Sequence, residues 1–300
     1  MATKVVVTGG RGFIGSHIID ALVQRGFDVH SIDSAETARE KNPKATYHVA
    51  DIRDVAAVAV ILEGSDCIFH EAALPRVQYS IENPIETFSI NVDGTVALLK
   101  AAVDAKVCRF VFASSAAVYG DQSTMPLTED MRASPKSPYA LHKEIGEITC
   151  KLWSELYGLE TVCLRYFNVY GPRLDPNGAY ALAIGKFLRL RKEGRPIEIW
   201  GDGTNTRDYV HVSDIVRANV CAMESDNVGK GEAINIGTGK ETSVNTLVGL
   251  IGGSVQHVEA RLEPGRACAD NRRAKELLGW EPTLKLEDGI AELKKEFGIT

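Results

Sequence analysis

The regular alternation of short β-branched runs with amphipathic stretches most restricts the folds open to this chain. Lys4–Thr8, Asp28–Ile32, Thr46–Ala50, Asp66–His70, Arg109–Ser114 and Thr161–Tyr166 read as strands, apolar on both faces as buried parallel strands are. Between them, Phe13–Arg25, Thr87–Ala105 and Pro138–Leu156 carry apolar residues at helical spacing. Such alternation implies right-handed crossovers and therefore a doubly wound α/β sheet. The third helix has explicit ends, with Ser137 as N-cap, Pro138 at the first helical position and Gly158 as the stop. After Asn168 the texture changes to Gly-Pro, Gly-Asp-Gly and Pro-Gly breaks around shorter helices, which predicts a smaller lobe over 168–300. Ser213–Met223 and Ala233–Ile236 again read as helix and buried strand, so the chain is expected to return to the first domain over about 213–236.

Composition narrows the function. Lysine plus arginine total 34 against 40 acids, a net charge of -6, so no basic field attracts nucleic acid or an anionic membrane. Any phosphate ligand must then be held by local groups. The six cysteines, at 67, 108, 150, 163, 221 and 268, form no Cys-x-x-Cys pair, and four lie in apolar runs. That pattern suits buried thiols in a reducing compartment rather than a disulfide framework or a metal site. Met1–Lys4 leads straight into Val5-Val6-Val7, too short an apolar run for a signal peptide, and stretches such as Val55–Leu62 are too short to span a bilayer. A soluble, cytoplasmic protein is the expectation.

Thr8-Gly9-Gly10-Arg11-Gly12-Phe13-Ile14-Gly15 follows the first strand and opens the first helix. Gly9, Gly12 and Gly15 let the backbone turn tightly and approach a pyrophosphate, which the free N–H groups of the Phe13-Ile14 helix start would hold. A glycine-rich loop alone is weak evidence, but Asp33 closes the second strand where a carboxylate can accept both ribose hydroxyls of an adenosine. The sheet is thus expected to be a Rossmann-type dinucleotide-binding domain over residues 1–167. No arginine follows Asp33 immediately, which favours NAD, although Arg39 leaves NADP open. Asp51 and Ile52 follow the third strand and could meet the adenine, with Asp51 equally readable as a helix N-cap.

Tyr139 and Lys143 stand four apart on a predicted helix and so share a face. The ammonium is expected to depress the phenol from near 10 by roughly three units, or about 4 kcal/mol, to make it a base at neutral pH. Ser115, at the end of the fifth strand, can hydrogen-bond the same substrate oxygen. Tyr-x-x-x-Lys by itself is a common amphipathic pair. Here it stands in order with the glycine loop, Asp33, Asn91 and Ser115, which points to redox chemistry on a carbinol.

With these residues, and with Leu164–Arg173 and Arg207–Val212, the chain resembles the extended short-chain dehydrogenase/reductases over nearly its whole length, most closely the UDP-galactose 4-epimerase type. The resemblance implies that Tyr139 takes the sugar 4-hydroxyl proton while hydride passes to bound NAD, and that hydride returns to the other face of a transient 4-keto sugar. It also implies cofactor contacts from Ala72, Ala73, Asn91, Ser114, Tyr139, Lys143 and Tyr166. Dehydrating relatives carry an Asp-Glu pair where this chain has Ala116 and Ala117, and decarboxylating ones a glutamate at Ala117. Methyl groups cannot do that acid–base work. A UDP-uronate 4-epimerase, an NAD(P)-dependent 4-keto-sugar reductase and a catalytically silent NAD or nucleotide-sugar binder on the same fold remain alternatives.

The resemblance further implies a sugar nucleotide beside Ser115, Ala116, Ala117 and Tyr139, with Asn168 on the diphosphate, Arg207 on the phosphates and Tyr209 on the uridine side. The weaker alternative for Arg207 is a surface ion pair with Asp208. Asp175–Ala181, with Asn177, Ala179 and Tyr180, resembles the subgroup that accepts N-acetylated hexosamines, although Pro-Asn-Gly is also a turn signal. The 261–270 segment is about three residues shorter than the family pattern, so Arg266 or Arg261 is expected to substitute for a missing contact. Ala267 is small where the family limits room beside the sugar. Arg76 could meet the diphosphate or a sugar carboxylate, or stand in solvent. Homodimerisation through a four-helix bundle of Thr87–Ala105 and Pro138–Leu156 is also implied.

Overall fold

The computed structural model describes residues 2–34, 41–174, 183–259 and 265–299. Strand β1 (Lys4–Thr8) leads through helix α1 (Phe13–Gln24) to β2 (Asp28–Asp33) and β3 (Thr46–Val49). Helix α2 (Val55–Leu62) then precedes β4 (Ser65–His70). Two short helices, α3 (Val77–Glu82) and α4 (Pro84–Phe88), run through one π-helical turn, Ser89–Asp93, into α5 (Gly94–Asp104). Strand β5 (Arg109–Ser115), helix α6 (Pro138–Tyr157) and β6 (Glu160–Tyr166) complete the crossovers. The expected helix over Thr87–Ala105 is present, with an earlier start and one wider turn. It begins at Pro84 and widens at Asn91, because Asn91 spends its side chain on the loop after β4.

Beyond β6 lie β7 (Asn168–Tyr170), α7 (Ala183–Lys192), β8 (Ile197–Trp200), β9 (Thr206–Arg207) and β10 (Tyr209–His211). Helix α8 (Val212–Glu224) and β11 (Lys230–Ile236) follow, then β12 (Thr242–Ser243), α9 (Val244–Ile251), β13 (Val255–Val258), α10 (Arg272–Leu278) and α11 (Leu286–Glu296). The main sheet is seven-stranded and parallel, in the order β11-β6-β5-β4-β1-β2-β3. This is the Rossmann-like arrangement expected from the strand and helix spacing. Two-stranded pairs β7/β10, β8/β13 and β9/β12 build the smaller part, around a separate core of Tyr170, Phe187, Leu188, Ile199, Leu247 and Leu293. No helix among the described residues is long and apolar enough to cross a membrane.

The strand order reverses between β1 and β4, and ligands of such sheets bind in the crevice at that point. A buried polar chain pins the two strand ends together. The Thr8 hydroxyl and His70 Nδ1 are 2.7 Å apart, His70 Nε2 lies 2.9 Å from the Thr95 hydroxyl, and Thr95 donates to the Asn91 carbonyl at 2.7 Å. Since Thr95 donates onward, the satisfied assignment has His70 protonated on Nε2 and accepting from Thr8. Burial keeps this ring neutral, pushing it down to about 3.

Helix α6 starts as expected. Ser137 accepts from the Ala140 amide at 3.2 Å, Pro138 follows, and the helix ends at a left-handed Gly158. It lies so close to β5 that a side chain on Gly146 would overlap the Phe112 ring, which is fully buried. The chain has no room there to relax. Gly146→Val is expected to destabilise the fold by about 3 kcal/mol through overpacking, read as a lower denaturation midpoint at unchanged slope in urea.

Candidate active site

The glycine loop closes on the crevice by backbone approach. A Cβ on Gly9 would come within 2.8 Å of the Ala72 amide nitrogen, and one on Gly15 would strike the Gly9 carbonyl. Gly12 heads α1 with no side-chain cap, so the first-turn amides stay available to an anion. Asp33 Oδ2 accepts from the Arg11 amide at 2.9 Å, which fixes the carboxylate beside the loop. Burial raises this acid above its ordinary value, with the Arg11 amide opposing the rise. These features fit a dinucleotide: a pyrophosphate cradle, a free helix start and one carboxylate at the strand end.

Across the crevice, Asn91 clamps the 71–76 loop. Its Oδ1 accepts from the Leu74 amide at 2.7 Å and its Nδ2 donates to the Leu74 carbonyl at 3.0 Å. Ala72 and Ala73 are held on that loop, and the Ala72 amide donates to Thr8 Oγ1 at 3.2 Å. Arg76 stands exposed at the head of α3.

Ser115 ends β5 and caps the short 3-10 turn Ala116–Tyr119, its Oγ accepting from the Ala117 amide at 3.2 Å. The same hydroxyl draws the Tyr139 phenol's pKa down, against burial. Tyr139 sits in the first turn of α6, where its amide donates to the buried Ser80 hydroxyl at 3.1 Å. One turn on, Lys143 Nζ donates to the Ala113 carbonyl at 2.6 Å, lies 4.9 Å from the Phe112 ring centre and 5.9 Å from that of Tyr139. Ser115, Tyr139 and Lys143 are thus brought together.

Their electrostatics differ from the expectation. Burial pushes the Tyr139 phenol up to about 12, the Ser115 hydrogen bond opposes this, and the Glu71 charge adds to it. Burial sets the direction of the shift, and Ser115, not Lys143, is the group that opposes it. Bringing a phenol from about 12 to neutrality takes about 7 kcal/mol, more than the roughly 4 expected. Lys143 is itself pushed down to about 8 by burial, with Glu71 the first charge opposing that loss.

Other expected residues have different duties. The Ser114 hydroxyl is turned to Glu147, 2.5 Å away, so its side chain serves the interior under α6. Asp51 is not the helix cap; Asp54 caps α2, and Asp51 is held by Arg53 at 2.5 Å because both lie on the exposed turn before it. Ile52 is buried against the Gly94 backbone. The Tyr166 hydroxyl donates to Glu71 at 2.7 Å and accepts from Asn219 Nδ2 at 2.7 Å.

In the smaller part, Asn168 Nδ2 donates to the Asp208 carbonyl at 3.1 Å and Tyr209 is buried in the β7/β10 pair. Arg207 Nη1 donates to the Thr206 carbonyl at 2.9 Å. The buried Asp208 carboxylate accepts from the Thr238 amide and hydroxyl, the Gly239 amide and the Ala269 amide. It therefore anchors the half-buried Ala267 segment beside β10. Arg266 is engaged by Glu241 at 2.5 Å rather than substituting as a free cation. Arg39, Arg261, Asn177, Ala179 and Tyr180 lie outside the described residues. Glu71, Ser80, Glu147, Asp208 and Asn219 were not singled out in the sequence. Each is an isolated polar residue whose partner is far along the chain.

Residues 5–237 match the family described as the NAD dependent epimerase/dehydratase family. The chain is 42% identical over 298 residues to a putative UDP-glucose 4-epimerase of Methanocaldococcus jannaschii, 95% of each chain being covered. Its fold superposes with a TM-score of 0.92 on the Thermotoga maritima UDP-glucose 4-epimerase with UDP-glucose, at 36% identity over 99% of this chain and 98% of that one. A UDP-N-acetylglucosamine 4-epimerase from Methanobrevibacter ruminantium in complex with UDP-N-acetylmuramic acid gives 0.93 at 36% identity, again over 99% and 98% of the two chains. The Bacillus cereus UDP-glucuronic acid 4-epimerase in complex with UDP-glucuronic acid and NAD gives 0.89 at 30% identity over 99% of each. The chain belongs to the NAD-dependent epimerase/dehydratase family. Within it, the chain is an enzyme of the UDP-sugar 4-epimerase group, an isomerase whose cofactor is NAD.

Asp33→Ala removes the one strand-end carboxylate fixed on the loop. It is expected to weaken NAD retention at least about tenfold, since an unmet hydrogen bond to a charged group costs about 1.5–3 kcal/mol. Nucleotide released on acid precipitation of purified protein, per mole of chain, measures this.

Proposed function

We propose that the enzyme interconverts UDP-glucose with UDP-galactose and UDP-N-acetylglucosamine with UDP-N-acetylgalactosamine. The observation that carries this reading is the placement of Tyr139 and Lys143 one turn apart on α6, Lys143 bonded to the Ala113 carbonyl of β5 and Ser115 ending that strand, with only Ala116 and Ala117 following the serine. NAD, when bound, supplies a two-electron acceptor for the carbinol hydride. Gly9, Gly12, Phe13, Ile14, Gly15, Asp33, Ala72, Ala73 and Asn91 would hold it, with Asp51 and Ile52 toward the adenine. Ser115 orients the sugar hydroxyl toward the Tyr139 oxygen. Tyr139 accepts the proton as the carbinol is oxidised and returns it when the ketone is reduced on the opposite face. Lys143 holds positive charge at the base while its other face is fixed by the Ala113 carbonyl. No residue beside Ser115 offers a carboxylate for elimination, so the ketone can only be re-reduced.

The N-acetyl reading rests on Ala267. The segment is tied down through Ala269, and its small side chain leaves room for a 2-acetamido group. Asn168, Arg207 and Tyr209 are the proposed diphosphate and uridine contacts, and Asn177, Ala179 and Tyr180 are proposed sugar-side contacts on sequence grounds alone. A second reading, a uronate epimerase, draws on Arg76 and on relatives that act on UDP-glucuronate. Its support is the weaker, because Arg76 is exposed at a helix start. The free thiols suit a cytoplasmic location.

We also propose a homodimer. Val77, Ile81, Ile85 and Phe88 on α3 and α4 are exposed, and so are Leu141, Ile148, Leu152 and Leu156 on α6, with Ile85 86% and Ile148 62% accessible. Helices α3 and α4 both pack on α6, so these side chains lie on neighbouring elements. An apolar area of this kind supports an interface with a second copy. The 89–93 turn and α5 pack on α6 as well, and the stretch 77–88 adds exposed apolar side chains to that face while α5 buries Leu98, Leu99, Ala101 and Ala102.

A panel of UDP-hexoses, UDP-N-acetylhexosamines and UDP-uronates, run without added NAD, tests the reaction. Galactose-type products from both the plain and the acetylated glucose substrates are expected, and turnover of uronates alone would reject the reading. In the same assay Ala267→Tyr is expected to lower turnover of the acetylated pair at least about tenfold more than that of the plain pair, the magnitude of a steric clash of 1–3 kcal/mol. Equal losses would reject the assignment. For the assembly, Ile148→Asp with Leu152→Asp is expected to halve the mass seen by sedimentation equilibrium.

A further inference from the structure

Two residues other than glycine lie in the left-handed region among the described residues, Lys106 at φ 57° and Arg173 at φ 66°. Lys106 directly follows the C-cap of α5, an ordinary place for that conformation. Arg173 ends no helix. It is the third residue of the turn Gly171–Leu174, which closes through the Leu174 amide on the Gly171 carbonyl at 3.3 Å and has Pro172 second. Proline second and a positive φ third mark a type II turn, where glycine or asparagine is the residue that fits. An arginine there is sterically disfavoured, and such an outlier points to a role for its side chain.

That side chain crosses from the smaller part of the molecule to the nucleotide helix. Its Nη2 lies 2.5 Å from Asp20 Oδ2 and its Nη1 donates to the Ser16 hydroxyl at 3.3 Å, both on α1. Asp20 is fixed in turn, since its Oδ1 accepts from Asn42 Nδ2 at 2.7 Å. Ser16 donates to the carbonyl of Phe13, the first residue of α1, at 3.0 Å. The backbone of the turn is engaged as well: the Pro172 carbonyl is 2.9 Å from His17 Nε2, and the Arg173 amide donates to Glu296 Oε1 on α11 at 3.3 Å. One residue therefore ties α1 to α11. Strands β5 and β4 separate β6 from β1 in the sheet, so no strand pairing makes this connection. A side chain on Gly171 would come within 2.5 Å of Val212, so the turn is also pressed on the start of α8.

We propose that Arg173 is a positioning residue for the cofactor: paired with Asp20 and Ser16, it clasps the smaller part of the enzyme onto α1 and slows the release of NAD. The start of α1 is the pyrophosphate seat, and the clasp opposes any separation of that helix from β7 and α11. An exposed ion pair standing alone contributes little. Here two guanidinium nitrogens meet one helix and the carboxylate is already held by Asn42, so the pair works as a network. Only NAD binding is required; the identity of the sugar does not enter.

The test follows NAD appearing in the filtrate after dilution of the NAD-bound enzyme, with no sugar present. Arg173→Gly suits the φ of 66° and removes the clasp, so release is expected to be about fivefold faster at an unchanged urea midpoint. Asp20→Asn still accepts from Asn42 but removes the charge facing Arg173, and a similar acceleration is expected. The two changes together should do no more than either alone, since they delete one interaction. Arg173→Lys keeps a cation for Asp20 and should release NAD more slowly than Arg173→Gly. Parent-like release from both single variants would overturn the proposal, as would factors that multiply in the double variant or a lysine variant as fast as the glycine one. Should the glycine variant not fold, Asp20→Asn carries the same expectation, and parent-like release from it alone overturns the proposal. Failure of the sugar assays would strike the epimerase reading and leave this result standing.

Discussion

The buried pair Glu147–Arg165, 2.7 Å apart, is the contact on which the arrangement of the active site depends. It joins α6 to β6 under the helix that presents Tyr139 and Lys143. Glu147 also receives the Ser114 hydroxyl from β5, and Arg165 donates to the Tyr119 hydroxyl, which in turn donates to Asn235 on β11. Asn235 Nδ2 reaches the Leu127 and Asp270 carbonyls, so the chain of bonds runs from the catalytic helix to the segment carrying Ala267. Such a pair contributes little net stability over an apolar replacement, since desolvating two charges offsets their attraction. Its value lies in register. Arg165 has one acceptor geometry that satisfies it, and Gly146 next door lets the helix approach Phe112 closely enough to reach that geometry.

Placement then determines chemistry. With the helix seated, Lys143 reaches the Ala113 carbonyl and Tyr139 reaches Ser115 at the end of β5. The opposite wall is set by the Thr8-His70-Thr95 chain and by Asn91 on Leu74, which carry the glycine loop and the 71–76 segment toward each other. Burial at this site has a cost: it raises the phenol and lowers the ammonium, against the requirement that the proposed base act at neutral pH. A positive nicotinamide ring would relieve part of this.

Much of the fold was legible in the residues. Six β-branched runs and the bounded α6 read correctly because each signal is local: apolar periodicity, a serine cap, a proline start, a glycine stop. The helix before β5 read less well, since its π turn arises from Asn91 bonding a loop seventeen residues away, not from any local preference. The same distinction runs through the site. Ser115, Tyr139 and Lys143 were visible as an ordered set, whereas the bond from the Ser114 hydroxyl to Glu147 was not, because alternation in a strand does not say which polar partner waits on each side.

The sequence by itself determined the class of sheet, the nucleotide loop, the hydroxyl, phenol and ammonium of the reaction, and the two alanines that withhold elimination chemistry. These are statements about which atoms exist and in what order. Only the tertiary structure decided their energies and neighbours: that Lys143 donates to the Ala113 carbonyl, that burial carries Tyr139 up to about 12, that Arg266 belongs to Glu241, and that Glu71 is held by Tyr166. Burial and pairing depend on what other elements bring from 18 to 95 residues away, and no local pattern encodes them.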